Sequence, residues 1–155
     1  MKTHRISKLA ALAIIGISIA LATGAMAAAA RIFQTHVLVG HYPTNAAPGE
    51  TVHIPVQLGY QDPGQGNKWC FLNGRMLSVN GYLSGGTMRN EPFEIRDVIT
   101  GGNGQATISF QMPHKLRNHA GHEVGTALRV TAKFAGQPPH FSPGVENKII
   151  SIVVR

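Results

Sequence analysis

From Arg31 to the end of the chain, apolar and polar residues alternate with a period of two, the spacing of strands that bury one face. Val52, Ile54, Val56 and Leu58 interleave with Thr51, His53, Pro55 and Gln57. Ala106, Ile108, Phe110 and Met112 interleave with Thr107, Ser109 and Gln111. Leu128, Val130, Ala132 and Phe134 interleave with Arg129, Thr131 and Lys133. Further strands are expected over 31–39, 68–72, 75–79, 93–99 and 148–154. Pro48-Gly49, Asp62-Pro63-Gly64 and Gly101-Gly102-Asn103-Gly104 punctuate the pattern as turns. Asn73-Gly74 has the composition of a two-residue type I′ hairpin loop. Asn80-Gly81 and Gly85-Gly86 mark an irregular stretch. Pro55 has no N–H to give to a ladder, so its strand is edge-exposed or bulged there. The sum is an all-β chain of about eight short strands joined by Gly, Pro and Asn turns, the pattern of an antiparallel β-sandwich.

The first 30 residues follow a different pattern. Lys2, Arg5 and Lys8 precede an apolar run from Leu9 to Leu21, and Ala25-Met26-Ala27 follows. Positive head, apolar centre and small-residue exit are the signature of a secretory signal peptide, with cleavage expected near 27–30. The alternative is an uncleaved anchor, because residues 9–30 are long enough to span a bilayer. The Ala- and Gly-rich end favours cleavage and leaves no stable membrane span. The expected organisation is a leader over 1–30 and one domain over 31–155. The expected location is the periplasm or the extracellular space.

Removing the leader changes the charge. Its three basic residues leave eleven Lys and Arg against seven Asp and Glu, and the eleven form no run. Scattered charge and a single Trp give no footprint for nucleic acid. Cys70 is the only cysteine, so an oxidising compartment supplies no internal disulfide. On its strand Cys70 reads as a small buried hydrophobe. Alternation places Cys70 and Leu72 on one face and Trp69 and Phe71 on the other.

The stretch 48–154 resembles the bacterial immunoglobulin-like domains of invasin- and intimin-type surface proteins. Pro48-Gly49-Glu50-Thr51-Val52, Phe71-Leu72-Asn73-Gly74, Asn103-Gly104-Gln105-Ala106 with Phe110, and 128–136 carry the resemblance. The stretch 80–99 is longer than that family's pattern, and this domain stands alone where those occur in tandem. The resemblance implies a non-catalytic adhesion, spacer or binding module. It also implies that Trp69 is a buried strand-C tryptophan.

Within such a sandwich, the B–C connection (60–68) and the F–G connection (136–147) share one end. The second holds three prolines, which limit the entropy lost on binding. Tyr60, Asp62, His140 and Phe141 are the candidate contact residues for an envelope or extracellular protein, with polysaccharide as a further class of partner. Phe141 has a second reading, folded back as a cap on the core. At the other end, the E–F connection carries His114, His119 and His122, and the A–B connection carries His41. Imidazoles suit zinc and copper, and Met112 would add a thioether for Cu(I). This alternative makes the chain a periplasmic copper or zinc binder; the competing reading of the same residues is a solvated loop. No cofactor is expected under the leading reading. A third possibility is a self-assembling subunit that exchanges the strand 31–39 between copies.

Enzymatic patterns are missing from the sequence. Glu91, Glu94 and Asp97 recur every third residue, but on a strand Glu94 faces away from the other two, so no glycosidase pair forms. There is no Gly-x-Ser-x-Gly elbow and no His-Glu-x-x-His helix. The glycine-rich turn at 101–104 leads into a strand rather than the helix a phosphate loop requires. Its glycines are expected to serve positive φ.

Overall fold

The computed structural model describes residues 31–155 apart from 87 and 147, with no account of the side chains of 88 and 89. The expected leader lies outside the described residues. Among the described residues eleven strands form: β1 Thr35–Val39, β2 Asn45–Ala46, β3 Thr51–Asp62, β4 Lys68–Phe71, β5 Met76–Gly85, β6 Met88–Glu94, β7 Val98–Ile99, β8 Gln105–Gln111, β9 Thr126–Phe134, β10 Gly144–Val145 and β11 Ile150–Val154. Three of them are two-residue ladders, which leaves the eight longer strands the alternation predicts.

They build two sheets packed as an immunoglobulin-like sandwich. The first sheet is organised by β3, which pairs antiparallel with β1 along one edge. Along its other edge it pairs with β8 and then, end to end, with β4. The second sheet runs β2-β11-β9-β5-β6. Its ladders are antiparallel except where β2 joins β11 in parallel. Val52, Ile54, Val56 and Leu58 of β3 face Leu128, Val130, Ala132 and Phe134 of β9 across a continuous apolar core. Burying side chains of this size stabilises the fold by about 1.5–3 kcal/mol each before chain entropy is counted. Pro55 behaves as its chemistry requires. β1 ends at Val39, and Gly40 N–H donates to the Pro55 carbonyl (2.8 Å) just beyond the ladder.

Several local expectations change. Asn73-Gly74 is not a hairpin loop. A type I′ turn needs positive φ at both central residues, and here only Gly74 has it (φ 64). The dipeptide is instead a corner between the sheets. Gly74 N–H donates to Thr100 O (2.6 Å), and Asn73 Oδ1 accepts from Gly104 N–H (2.8 Å). The true hairpin joins β3 to β4 through a 3-10 turn at Pro63–Gln65. Trp69 therefore sits on β4 in the first sheet, not on strand C, and lies outside the core. The strand expected over 93–99 forms earlier, as β6, and breaks before β7. Asn80-Gly81 lies inside β5 rather than in a turn. Gly81 is required there by close approach: a Cβ would lie 2.8 Å from Phe93 O on β6. In the turn before β8 positive φ falls on Asn103 and Gly104 (57° and 68°), whereas Gly101 and Gly102, expected to share it, do not adopt it.

Candidate functional site

The loop end expected to carry contacts is held by β1. Beyond its ladder with β3, the chain from Phe33 onward runs parallel to the F–G segment. Phe33 N–H donates to His140 O (2.8 Å), and Ser142 N–H donates to Phe33 O (3.0 Å). Thr35 Oγ1 donates to Ser142 O (2.7 Å). A Cβ at Gly144 would strike Thr35, so glycine is what lets the two segments approach. The first strand is thus paired on both edges within the chain.

This pairing gathers three aromatic rings. Phe33 lies 4.8 Å from Tyr60 and 6.0 Å from Phe141, centroid to centroid, and Tyr60 lies 5.2 Å from Phe141. The tilted arrangement suits the ring quadrupoles. Tyr60 and Phe141, far apart in sequence, are therefore brought together. Both are half-buried and pack on the edge of the core, so Phe141 has the folded-back role. His140 follows as an exposed ring with its edge toward Phe141 (6.5 Å).

Asp62 does a local job. Its carboxylate accepts from Gly64 N–H (2.9 Å) and from Gln65 Nε2 (3.1 Å), which caps the turn. Burial pushes the Tyr60 phenol above its ordinary value. A hydrogen bond to Cys70, its cross-strand neighbour, and the nearby Cys70 and Asp62 charges act in the same direction. Cys70 is half-buried at this end rather than deep in the core.

The opposite end holds the histidine-bearing connection. The A–B and E–F segments do meet there. Gly49 N–H donates to Met112 O, and Met112 N–H donates to Glu50 O, both at 2.8 Å. The histidines themselves do not gather. Among the described residues no three His, Cys, Asp or Glu side chains are placed to hold a metal ion. His114, His119 and His122 are exposed, as is His41. Met112 is 2 % exposed, a core side chain unavailable as a ligand. The loop has its own internal order. Asn118 Oδ1 accepts from the N–H groups of Ala120 and His122 (3.0 Å each), and Arg117 donates to Gly121 O (3.1 Å). The turn chemistry of Asn118 and Gly121 shapes this segment.

A third surface was not identified from the sequence. Phe71 is 40 % exposed on the outer face of the first sheet. Beside it on that face, Trp69 meets His36 edge-on at 5.9 Å. The signal was present in the alternation, because an inward Leu72 obliges Trp69 and Phe71 to point outward.

Among the described residues no helix is long and apolar enough to cross a membrane. No family model and no curated protein matches the chain. Solved structures similar to part of it include a β-glucosidase from Listeria innocua in complex with glucose. That match has 15% identity and TM-score 0.41, and covers 77% of this chain and 16% of that one. A second is the alkylpurine DNA glycosylase AlkC of Pseudomonas fluorescens bound to DNA containing an abasic site analogue. It has 14% identity and TM-score 0.36, covering 79% of this chain and 30% of that one. The chain spans less than a third of either protein, and neither similarity carries an activity over to it.

Proposed function

We propose that this chain is an exported, non-catalytic immunoglobulin-like module that binds another component of the cell envelope or extracellular space. The leader pattern at 1–30 supports export to the periplasm or beyond. The observation that carries the binding reading is the braced F–G segment. Backbone bonds to Phe33 and the Thr35–Ser142 pair hold it against β1, while Gln137, Pro138, Pro139 and His140 stay exposed. A loop fixed before binding loses little entropy when a partner docks. The partner class favoured is an envelope protein.

Phe141 packs on Phe33 and Tyr60, so truncating it would mix lost binding with lost packing. The discriminating variant replaces the exposed Gln137 and His140 with Ala and leaves Phe141 in place. Exposed substitutions of this kind cost within about 0.5 kcal/mol. Cross-linking capture of surface proteins is expected to fall to background with little change in Tm. Capture equal to the wild type would remove this loop as the contact surface.

A further inference from the structure

The outer face of the first sheet has a composition unlike the rest of the molecule. The outward positions are His36 and Leu38 on β1, and the odd-numbered residues from Thr51 to Gln61 on β3. Trp69 and Phe71 on β4, and Gln105 to Gln111 at alternate positions on β8, complete it. None of these is Asp, Glu, Lys or Arg. Four strands thus present amides, hydroxyls, two imidazoles, the exposed Phe71 ring and the half-buried Trp69 ring, with no carboxylate, ammonium or guanidinium among them.

The register organises these groups into rows. His36, Gly59 and Phe71 form one row, and Leu38, Gln57 and Gln105 form the next. Gly59 has no side chain, and the Phe71 ring leans over its bare backbone; a Cβ there would lie 3.0 Å from Phe71 Cδ1. Trp69 stands two residues away on the same strand. Beside this aromatic strip a groove of ≈ 460 Å³ opens between β1 and β8, lined by Leu38, Pro55, Gln57, Gln105 and Thr107. Gln57 Nε2 donates to Asn103 O (2.7 Å), which fixes the amide and leaves its oxygen as an acceptor.

The geometry points to a binding face for a neutral polysaccharide. A pyranose has an apolar C–H face and a rim of hydroxyls. The first is complementary to the Phe71 and Trp69 rings, and the second to glutamine amides, which both donate and accept. An anionic chain would find no Lys or Arg on this face to offset its charge, and a basic partner would find no carboxylate. Neutrality is therefore the complementarity that selects the ligand class. The inference rests on the reading of the chain as a binding module, but it uses a surface separate from the F–G loop.

The test is affinity electrophoresis of the 155-residue chain. Gels contain hydroxyethylcellulose, xylan or dextran as neutral probes and polygalacturonate as an anionic one. Retardation by at least one neutral polymer is expected, unchanged at about 0.5 M salt, where surface ion pairs are screened. Trp69→Ala and Phe71→Ala are each expected to weaken it at least tenfold. Gln105→Ala, at an exposed position, is expected to weaken it several-fold. The Gln137/His140 double variant should bind polysaccharide normally. Retardation by none of the neutral polymers, retardation only by polygalacturonate, or Trp69, Phe71 and Gln105 variants that all bind like the wild type would overturn the inference. Protein capture through the F–G loop would stand or fall separately.

Discussion

Two phenylalanines in this domain lie against glycines in the same way and face opposite directions. Phe71 on β4 is directly opposite Gly59 on β3, and Phe93 on β6 is directly opposite Gly81 on β5. A Cβ on either glycine would lie 3.0 Å from the Cδ1 of its phenylalanine. Gly81 is on the inner side of its sheet, so Phe93 turns toward the core flank and meets Phe110 edge-on at 6.0 Å. Gly59 is on the outer side, so Phe71 turns to solvent. The local device is one, a ring covering a strand glycine that has nothing of its own to pack. Its two uses differ, since only the outward ring offers a surface to a ligand. The contrast extends to the sheets. The outer face of the second sheet carries Arg129, Lys133 and Glu94 among Ser78, Asn80 and Thr131, a solvated charged surface. The first sheet's outer face carries none of these charged types.

The comparison breaks most completely if the first sheet loses its continuity. Gly104 sits where β4 and β8 meet along β3, with φ 68. An added Cβ there would collide with the Leu58 carbonyl and press on Phe71. Gly104→Ala combines left-handed strain with a backbone clash and is expected to cost about 3 kcal/mol. Thermal unfolding would show this as a large drop in Tm. A drop no greater than that of an exposed substitution would mean the corner relaxes freely and does not fix the face.

The two phenylalanines give the next largest effect. Phe93→Ala removes a half-buried ring that packs on the core and meets Phe110, and is expected to cost about 2 kcal/mol. Phe71→Ala removes a ring 40 % exposed and is expected to cost about 0.5–1 kcal/mol. Urea unfolding of both variants measures the difference directly. Equal costs would make Phe71 a structural cover for Gly59 and weaken the case that it is displayed for a ligand.

The inner faces of both sheets were legible in the sequence, because period-two alternation depends only on which side of a strand is dry. The alternation at 52–58, 106–112 and 128–134 maps directly onto the core. Sheet membership was not legible. Asn73-Gly74 has hairpin composition, but its neighbours belong to different sheets, and long-range pairing with Thr100 and Gly104 decides its conformation. That single reassignment moved Trp69 from the core to a half-buried place on the outer face of the first sheet. The meeting of Tyr60 with Phe141 was foreseeable from sandwich topology, whereas the brace from Phe33 was not, since nothing local in 31–39 announces a second partner. The four histidines show the limit of topology. Two connections share an end, yet side chains on independent turns need not converge.

The smallest effect concerns the inward neighbour of Gly59. Tyr60 and Cys70 face each other on the side of β3 opposite to Phe71, and burial raises the Tyr60 phenol above its ordinary value of 10.0. Above pH 10 the unfolded chain loses this proton before the folded one does. The folded state then holds more protons, and stability falls as pH rises through that window, while below it the contribution is pH-independent. Tyr60→Phe keeps the ring against Phe33 and Phe141 and deletes the ionisation. Denaturation midpoints followed from pH 8 to 11 (about neutral tyrosine to its titration range) are expected to decline less steeply in the variant. Identical slopes would mean that Tyr60 is as hydrated as an outward residue, and the distinction between the two sides of β3 would not hold at this end of the sandwich.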